Sequence, residues 1–129
     1  MNVLLDTHTL LWLVSTPSDV APSALAIISD PGTDVWVTAA SAWEIAIKTK
    51  VGRLDGEALL SAWSDILSGM STTELPIESA DAILAGRLPW EHRDPFDRVI
   101  VAQALRRNLT IATRDAKIVE ASLAPTLRV

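Results

Sequence analysis

Short apolar runs that alternate with helical patterns constrain the fold of this chain more than any other feature. The runs are Asn2–Asp6, Asp34–Thr38, Leu75–Ile77, Leu109–Thr113 and, last, Leu127–Val129. Apolar runs of this length are typical of strands buried on both faces of a parallel sheet. The alternation predicts an α/β fold with a mostly parallel central sheet. No linker or internal repeat divides the chain, so residues 1–129 are predicted to form a single domain.

Apolar spacing and capping residues predict the helices between these runs. Three of them are predicted over Ser41–Lys50, Leu59–Met70 and Ser79–Arg87. Asp94 followed by Pro95 is typical of a helix N-cap and first helical residue, and it predicts a helix that continues to about Arg107.

The composition limits the chemistry that such a domain can perform. The chain has no cysteine, which excludes a disulfide framework, a thiolate zinc site and a cysteine nucleophile. His8 and His92 are the only histidines, so a metal must be held mainly by oxygen ligands. No apolar run approaches the roughly 18 residues of a membrane span, and no signal-peptide pattern is present. We therefore expect a cytoplasmic protein with no membrane partner.

Charge is distributed unevenly along the sequence. The formal net charge is −5, whereas nucleic-acid-binding proteins are usually basic. Residues 86–129 nevertheless carry eight basic and five acidic side chains, and seven of the eight are arginine. Arginine is the side chain best shaped to bind phosphate. The acidic total is therefore compatible with a phosphate-bearing substrate.

Four carboxylates are predicted to meet at one edge of the sheet. Asp6 and Asp115 follow predicted strands, while Glu44 and Asp97 lie near the starts of predicted helices. Sites in open parallel sheets form at the carboxyl ends of the strands. Carboxylates among apolar neighbours are costly unless a partner neutralises them, and several of them without soft ligands suit Mg²⁺ or Mn²⁺. A cation site of this kind supports hydrolysis of phosphate esters.

Each of these acids also has a purely structural interpretation. Ser41 and Glu44 have the spacing of a capping box, and Glu44 precedes Lys48 by four residues, which is a helical ion-pair spacing. The other three acids, Asp6, Asp97 and Asp115, have positions suited to helix N-termini. Two basic neighbours, Lys48 and Arg98, are too few to balance four acids, which favours the cation site.

Four segments carry a resemblance to a known family. They are Leu4–His8 with Leu10–Trp12, Ser41–Lys48, Asp94–Gln103 and Ala112–Asp115. In this order they resemble the PIN-domain nucleases, and specifically the VapC-like toxins of bacterial toxin–antitoxin pairs. The resemblance implies a PIN-like α/β/α sandwich. It also implies a Mg²⁺-dependent endoribonuclease, with Mn²⁺ as a substitute, that cleaves structured RNA such as tRNA or ribosomal RNA.

The resemblance also assigns residues and partners. It implies that the metal ligands and catalytic residues are Asp6, Glu44, Asp97 and Asp115, with Thr7 and Thr113 in supporting positions. It further implies a homodimer and a cognate antitoxin. The C-terminal segment of that antitoxin would cover the active site, with a basic side chain reaching the carboxylates.

Several residues near the acids are further candidates for binding RNA. Arg93, Arg98 and Arg114 are candidates for phosphate contacts, although Arg98 could instead neutralise a neighbouring acid. His92 is open to three interpretations: a general base, a phosphate contact or a packing residue. Trp90 is open to base stacking or packing.

Other arginines and tryptophans are given structural roles by the sequence. Arg106 and Arg107 are expected on a solvated helix face. The remaining tryptophans, Trp12, Trp36, Trp43 and Trp63, fall in apolar patterns and are expected in the core or a dimer interface.

Two rival functions follow from the same acids. A haloacid-dehalogenase-type phosphatase requires a second aspartate two residues after the first, but His8 stands in that position after Asp6. The second rival is a non-catalytic PIN-like binding module whose acidic groove holds a basic protein partner. It predicts no specific affinity for divalent cations.

Overall fold

Five parallel strands form the central sheet of the computed structural model, which describes residues 1–129. The strands are β1 (Asn2–Leu5), β2 (Asp34–Thr38), β3 (Thr72–Leu75), β4 (Thr110–Thr113) and β5 (Thr126–Arg128). Their spatial order is β3-β2-β1-β4-β5, and every neighbouring pair is parallel. Leu5 of the central strand is in register with Val37 and with Ala112. The residues that follow β1, β2 and β4 therefore emerge side by side at one edge.

Eight α-helices connect or follow these strands. They are α1 (Thr7–Ser15), α2 (Pro22–Ser29), α3 (Ala39–Lys50), α4 (Glu57–Ser61), α5 (Trp63–Gly69), α6 (Ser79–Arg87), α7 (Pro95–Arg107) and α8 (Ala116–Ala121). A short 3₁₀ turn, Pro17–Asp19, lies between α1 and α2. None of the helices has the length and apolar character needed to cross a bilayer.

Apolar side chains fill both faces of the sheet. Val3 and Leu5 of β1 belong to one core cluster, which also includes Leu10 and Ile45 from α1 and α3. Leu4 points to the other face and joins a second cluster that includes Ile100 of α7 and Ile118 of α8. Burial of β1 on both faces explains its uninterrupted apolar run. The predicted α/β/α sandwich is confirmed.

The third strand lies before its predicted position. The sequence predicted Leu75–Ile77, whereas the structure has a strand over Thr72–Leu75 that pairs with β2. Pro76 has no backbone N–H and cannot continue the ladder, so the strand ends before it. The last strand is similarly shifted by one residue, to Thr126–Arg128.

The helix predicted over Leu59–Met70 is broken in the structure. Ala62, with φ −116° and ψ 25°, departs from helical geometry and separates α4 from α5. The indole of Trp63 donates a hydrogen bond of 2.8 Å to the carboxylate of Glu74, which ties α5 to β3. This tertiary contact fixes the direction of α5 independently of α4, and the apolar spacing alone does not reveal the break.

Helix α3 begins two residues earlier than predicted, and the capping-box interpretation of Ser41 and Glu44 is wrong. Thr38 is the N-cap, and its hydroxyl accepts a hydrogen bond of 3.1 Å from the backbone N–H of Ala40. The Ser41 hydroxyl is free for another partner and lies 2.9 Å from the hydroxyl of Thr7. This contact joins the beginnings of α1 and α3.

The tryptophans divide between the core and the surface. Trp12 and Trp63 pack against one core cluster, and Trp36 packs against the other, as the sequence predicted. Trp43 is 57% exposed, so the core interpretation is wrong for this residue.

Arg106 and Arg107 do not form the solvated face that the sequence predicted. Both bind the fully buried carboxylate of Asp81 on α6, with nitrogen–oxygen distances of 2.5 and 2.8 Å. The side-chain amide of Gln103 donates a further hydrogen bond of 3.1 Å to Asp81. Burial alone raises the pKa of Asp81, but these donors and the Glu78 N–H outweigh it and hold the pKa well below its usual value.

We expect Asp81→Asn to lower the free energy of unfolding by about 3 kcal/mol at pH 7, because it leaves two arginines without their buried partner. A depressed pKa in the folded state stabilises the fold above the unfolded pKa, and this stabilisation is lost as the pH falls below 3.8. Urea unfolding at pH 7 and at pH 3 measures both effects. Glu78→Gln on the exposed rim of the network is the control, with an expected change below about 0.5 kcal/mol. An equally small change for Asp81→Asn would contradict the prediction.

Candidate metal centre

Asp6 follows the central strand and lies at the middle of the carboxyl edge. Its backbone N–H continues the ladder by donating 3.1 Å to the carbonyl of Ala112. One carboxylate oxygen accepts 2.8 Å from the N–H of Thr9 and caps α1, while the other accepts 2.5 Å from the Thr113 hydroxyl. Burial raises the pKa of Asp6, although the hydrogen bonds from Thr113 and Thr9 oppose this effect. No lysine or arginine pairs with this carboxylate.

Asp97 lies in the first turn of α7, which is capped by Asp94 as the sequence predicted. The Asp97 carboxylate is 2.7 Å from Nε2 of His92 and has no lysine or arginine partner. Burial raises the pKa of Asp97 to about 6, and the negative charges of Asp94 and Asp115 add to the increase against the effect of His92.

Thr113 links two of the predicted acids. Its hydroxyl donates to Asp6 and accepts a hydrogen bond of 3.0 Å from the backbone N–H of Asp115. Asp115 in turn caps α8 by accepting 2.8 Å from the N–H of Lys117. The fully buried Thr113 therefore orients Asp6 and fixes the chain at Asp115.

Glu44 is buried on α3, one turn beyond the contact between Ser41 and Thr7. Its carboxylate is 2.6 Å from Nζ of Lys48, which is the ion pair that their spacing allowed. The charge of Glu44 is therefore already compensated, in contrast to Asp6. Helices α3 and α7 meet beside it, where the rings of Trp43 and Phe96 contact edge to face at 5.1 Å.

Arg98 has a different role from the two that the sequence suggested. Its guanidinium donates hydrogen bonds to four backbone carbonyls, those of Ala85, Leu88, Trp90 and His92, at 2.7 to 3.1 Å. It forms no ion pair with an acid. Three of these contacts hold the segment 88–92 against the beginning of α7, and the fourth holds α6 there, so Arg98 positions this segment rather than a substrate.

The other two predicted phosphate contacts, Arg114 and Arg93, differ in whether the guanidinium already has partners in the chain. Arg114 donates to the carbonyls of Val129 and Asp19, and its guanidinium lies 4.0 Å from the ring centroid of Trp12. Arg93 is exposed and has no ion-pair or hydrogen-bond partner in the chain. It lines an open cavity of about 690 Å³ together with Trp90, His92 and Lys117.

Metal-ligand spacing in the structure selects a different set from the four predicted acids. The group of three whose ligand atoms all lie within 4.8 Å of one another consists of His92, Asp94 and Asp97. Sequence analysis left His92 without a defined role and gave Asp94 only a capping role. The sequence pattern that could have revealed this group is the spacing His-x-Asp-x-x-Asp at a helix start, because it brings three possible ligands to one helix terminus.

These residues fit a divalent cation. Asp6 and Asp97 are carboxylates with raised pKa values and no lysine or arginine partner, and Asp94 and Asp115 add negative charge beside Asp97. A buried edge with several acids and one histidine has the oxygen-rich donor set of Mg²⁺ or Mn²⁺. Of the predicted acids, Thr113 joins Asp6 and Asp115, whereas Asp97 contacts His92 and Glu44 is held by Lys48.

The family model for the PIN domain matches residues 3–122. The chain belongs to the PIN domain family. This confirms the family that the four sequence segments predicted, supports a nuclease, and leaves the haloacid-dehalogenase alternative without support. No curated protein sequence matches the chain.

Solved structures share the fold of this PIN domain over nearly its whole length. VapBC2 from Rickettsia felis, bound to a DNA fragment from its promoter, aligns with a TM-score of 0.73 and 15% identity over 98% of each chain. VapBC-1 from nontypeable Haemophilus influenzae aligns with a TM-score of 0.66 and 17% identity over 98% of this chain and 97% of the other. FitAcB from Neisseria gonorrhoeae aligns with a TM-score of 0.59 and 20% identity over 98% of this chain and 96% of the other. At these identities the similarity establishes the fold.

Proposed function

We propose that this PIN domain is a divalent-metal-dependent endoribonuclease and the toxin of a toxin–antitoxin pair. Its substrates are structured RNAs of the tRNA or ribosomal RNA class, in which it hydrolyses phosphodiester bonds. One observation carries the proposal: Asp6 and Asp97 are largely buried at the carboxyl edge of a parallel sheet, and neither has a lysine or arginine partner. Retaining such acids is costly unless a cation binds them.

The residues at the carboxyl edge of the sheet have different proposed roles. Asp6, Asp97 and Asp115 would hold the cation, and Glu44 with Lys48 borders the same edge on α3. When bound, the cation activates water and offsets negative charge on the attacked phosphate. The Thr113 hydroxyl and the Thr9 N–H orient the Asp6 carboxylate, so its oxygens are placed before any ligand arrives.

The cavity beside the acids is where we propose that the RNA binds. Its charged lining consists of two basic residues, Arg93 and Lys117, and two acidic residues, Glu91 and Glu120. Trp90 and His92 line the side nearest Asp97. We assign phosphate contacts to Arg93 and Lys117, because the guanidinium groups of Arg98 and Arg114 are already bound to backbone carbonyls.

An exposed apolar stripe on α3 supports an antitoxin partner. Trp43 and Ile47 of α3 and Val51 at its C-cap are 57%, 41% and 61% exposed, and they recur every four residues. The stripe lies beside Glu44 and contacts the start of α7 through Phe96. An antitoxin segment with apolar side chains and one basic side chain would match both the stripe and the acids. The VapBC and FitAB structures with the same fold support such a partner, and we also propose a homodimer in the cytoplasm.

The proposed function is tested with the purified chain, free of any antitoxin, and total tRNA and ribosomal RNA. We expect cleavage at discrete positions in Mn²⁺ or Mg²⁺, complete loss of cleavage with excess chelator, and recovery when metal is restored. Cleavage that continues unchanged in chelator would contradict the metal requirement.

A non-catalytic binding module is the second candidate. It is favoured by one observation, that Lys48 and His92 already contact Glu44 and Asp97, as the basic groups of a partner would. Calorimetric titration with Mn²⁺ separates the two functions. Saturable binding supports the nuclease, whereas a folded chain that binds neither Mn²⁺ nor Mg²⁺ and cleaves no RNA supports the module.

A further inference from the structure

The ring of His92 faces the acid edge at close range. Its Nε2 is 2.7 Å from a carboxylate oxygen of Asp97, and Nε2 and oxygens of Asp94 and Asp97 all lie within 4.8 Å of one another. One oxygen of Asp94 caps α7 by accepting from Phe96 N–H, and its second oxygen has no hydrogen-bond donor in the chain. Neighbouring donors on one octahedral ion with bonds of about 2.1 Å are about 3 Å apart. The distance between His92 and Asp97 is close to this value, and the Asp94 oxygen lies within 4.8 Å of both.

The backbone and ring of His92 are fixed before any ligand binds. Arg98 donates 2.9 Å to the carbonyl of His92 and 2.7 Å to that of Trp90. The indole of Trp90 contacts the imidazole, with ring centroids 4.9 Å apart and ring planes inclined by 53°. Trp90 itself packs against the core cluster formed by α7 and β4. A surface histidine that served only solubility would need none of these restraints, whereas a metal ligand requires them.

We propose that His92 is a nitrogen ligand of the divalent cation, together with Asp97 and the free oxygen of Asp94. This inference rests on the metal requirement of the proposed function and adds two ligands, His92 and Asp94, to the carboxylates named there. It makes the donor set mixed, with one imidazole nitrogen among carboxylate oxygens.

A mixed donor set changes which cation the site prefers. Mg²⁺ binds oxygen and retains its water, whereas first-row transition ions accept imidazole nitrogen readily. We therefore expect the site to bind Mn²⁺ more tightly than Mg²⁺, and His92 to account for the difference.

A positioning role is the competing explanation for the same contact. His92 could donate a hydrogen bond to Asp97 and orient that carboxylate without touching the ion, as outer-shell partners do. The two roles differ in one physical quantity, which is the magnetic coupling between the imidazole nitrogen and the unpaired electrons of Mn²⁺.

Electron spin echo spectroscopy of the Mn²⁺-loaded full-length chain measures that coupling. We expect a directly bonded nitrogen signal that changes pattern when the protein is labelled with ¹⁵N-histidine. The chain has two histidines, so His92→Gln and His8→Gln assign the signal. Glutamine can still donate a hydrogen bond to Asp97, and the exposed His8 is the matched control.

The expected outcome is a nitrogen signal in the wild type and in His8→Gln, and none in His92→Gln. Calorimetry should show a Mn²⁺ dissociation constant about tenfold higher in His92→Gln and a Mg²⁺ constant changed by less than about threefold. If His92→Gln does not fold, isotope labelling of His8→Gln keeps the test valid, because His92 is then the only histidine.

Two outcomes overturn the inference, and they are distinguishable. Saturable Mn²⁺ binding without a histidine nitrogen signal, or with a signal that survives in His92→Gln, leaves the metal site of the proposed function intact and removes His92 from it. Absence of saturable Mn²⁺ binding in the wild type removes both the inference and the metal requirement.

Discussion

Asp97→Asn is expected to reduce RNA cleavage by about 10³-fold or more while the protein remains folded. Loss of a mere outer-shell partner of a metal ligand costs roughly 10- to 100-fold, and the loss of a ligand carboxylate costs more. The variant retains the cap of α7, because that cap is the carboxylate of Asp94. Cleavage of total tRNA in Mn²⁺, measured beside circular dichroism of the same samples, checks this result.

The same substitution should stabilise the metal-free protein at neutral pH. The folded-state pKa of Asp97 is about 6, above its usual 3.8, because burial disfavours the charged form. A raised carboxyl pKa means that the fold is favoured at low pH and loses stability as the pH rises from 3.8 to about 6. Asparagine has no such charge, so in chelator at pH 7.5 we expect Asp97→Asn to be more stable by roughly 2 kcal/mol.

Urea unfolding in chelator measures this gain. Asp65→Asn, at an exposed position in the first turn of α5, is the control, with an expected change below about 0.5 kcal/mol. Wild-type turnover in Asp97→Asn would remove this residue from the mechanism. Full loss of cleavage together with lower metal-free stability would support the catalytic role of Asp97. It would contradict the expectation that removing its buried charge stabilises the fold.

Arg98→Met should lower the free energy of unfolding by about 4 kcal/mol. The substitution removes the donors to three carbonyls of the segment that joins α6 to α7 and to the carbonyl of Ala85 within α6. Unpaired buried carbonyls cost about 1 to 3 kcal/mol each where water cannot reach them. Arg98→Lys should recover less than half of the loss, because an ammonium cannot reproduce the planar fork of a guanidinium.

Urea unfolding at pH 7 measures these differences. Arg53→Met is the matched control: Arg53 is exposed and bonded to no acid, and we expect a change below about 0.5 kcal/mol. A loss below about 1 kcal/mol for Arg98→Met would mean that water replaces the guanidinium at these carbonyls. We also expect Arg98→Met to weaken Mn²⁺ binding, since the segment that carries His92 is no longer fixed.

The sequence alone determined the architecture and the order of the motifs. The uninterrupted run Val3–Leu5 predicts a strand buried on both faces, and the structure places it at the centre of the sheet. Asp94 before Pro95 predicts the start of α7 to the residue. Such signals can be seen in a sequence because they depend on residues within a few positions of one another.

Only the tertiary structure decided how the charged side chains are used. The sequence predicted a solvated face for Arg106 and Arg107, and a phosphate contact or a neighbouring acid for Arg98. Their partners in the structure lie 6 to 29 positions away. The contact of His92 with Asp97 likewise depends on the path of the segment that Arg98 holds. A long side chain can reach many carbonyls or acids, and the sequence does not specify which. The packing of α6 against α7 brings one set within hydrogen-bonding distance, so that packing determines the role of each residue.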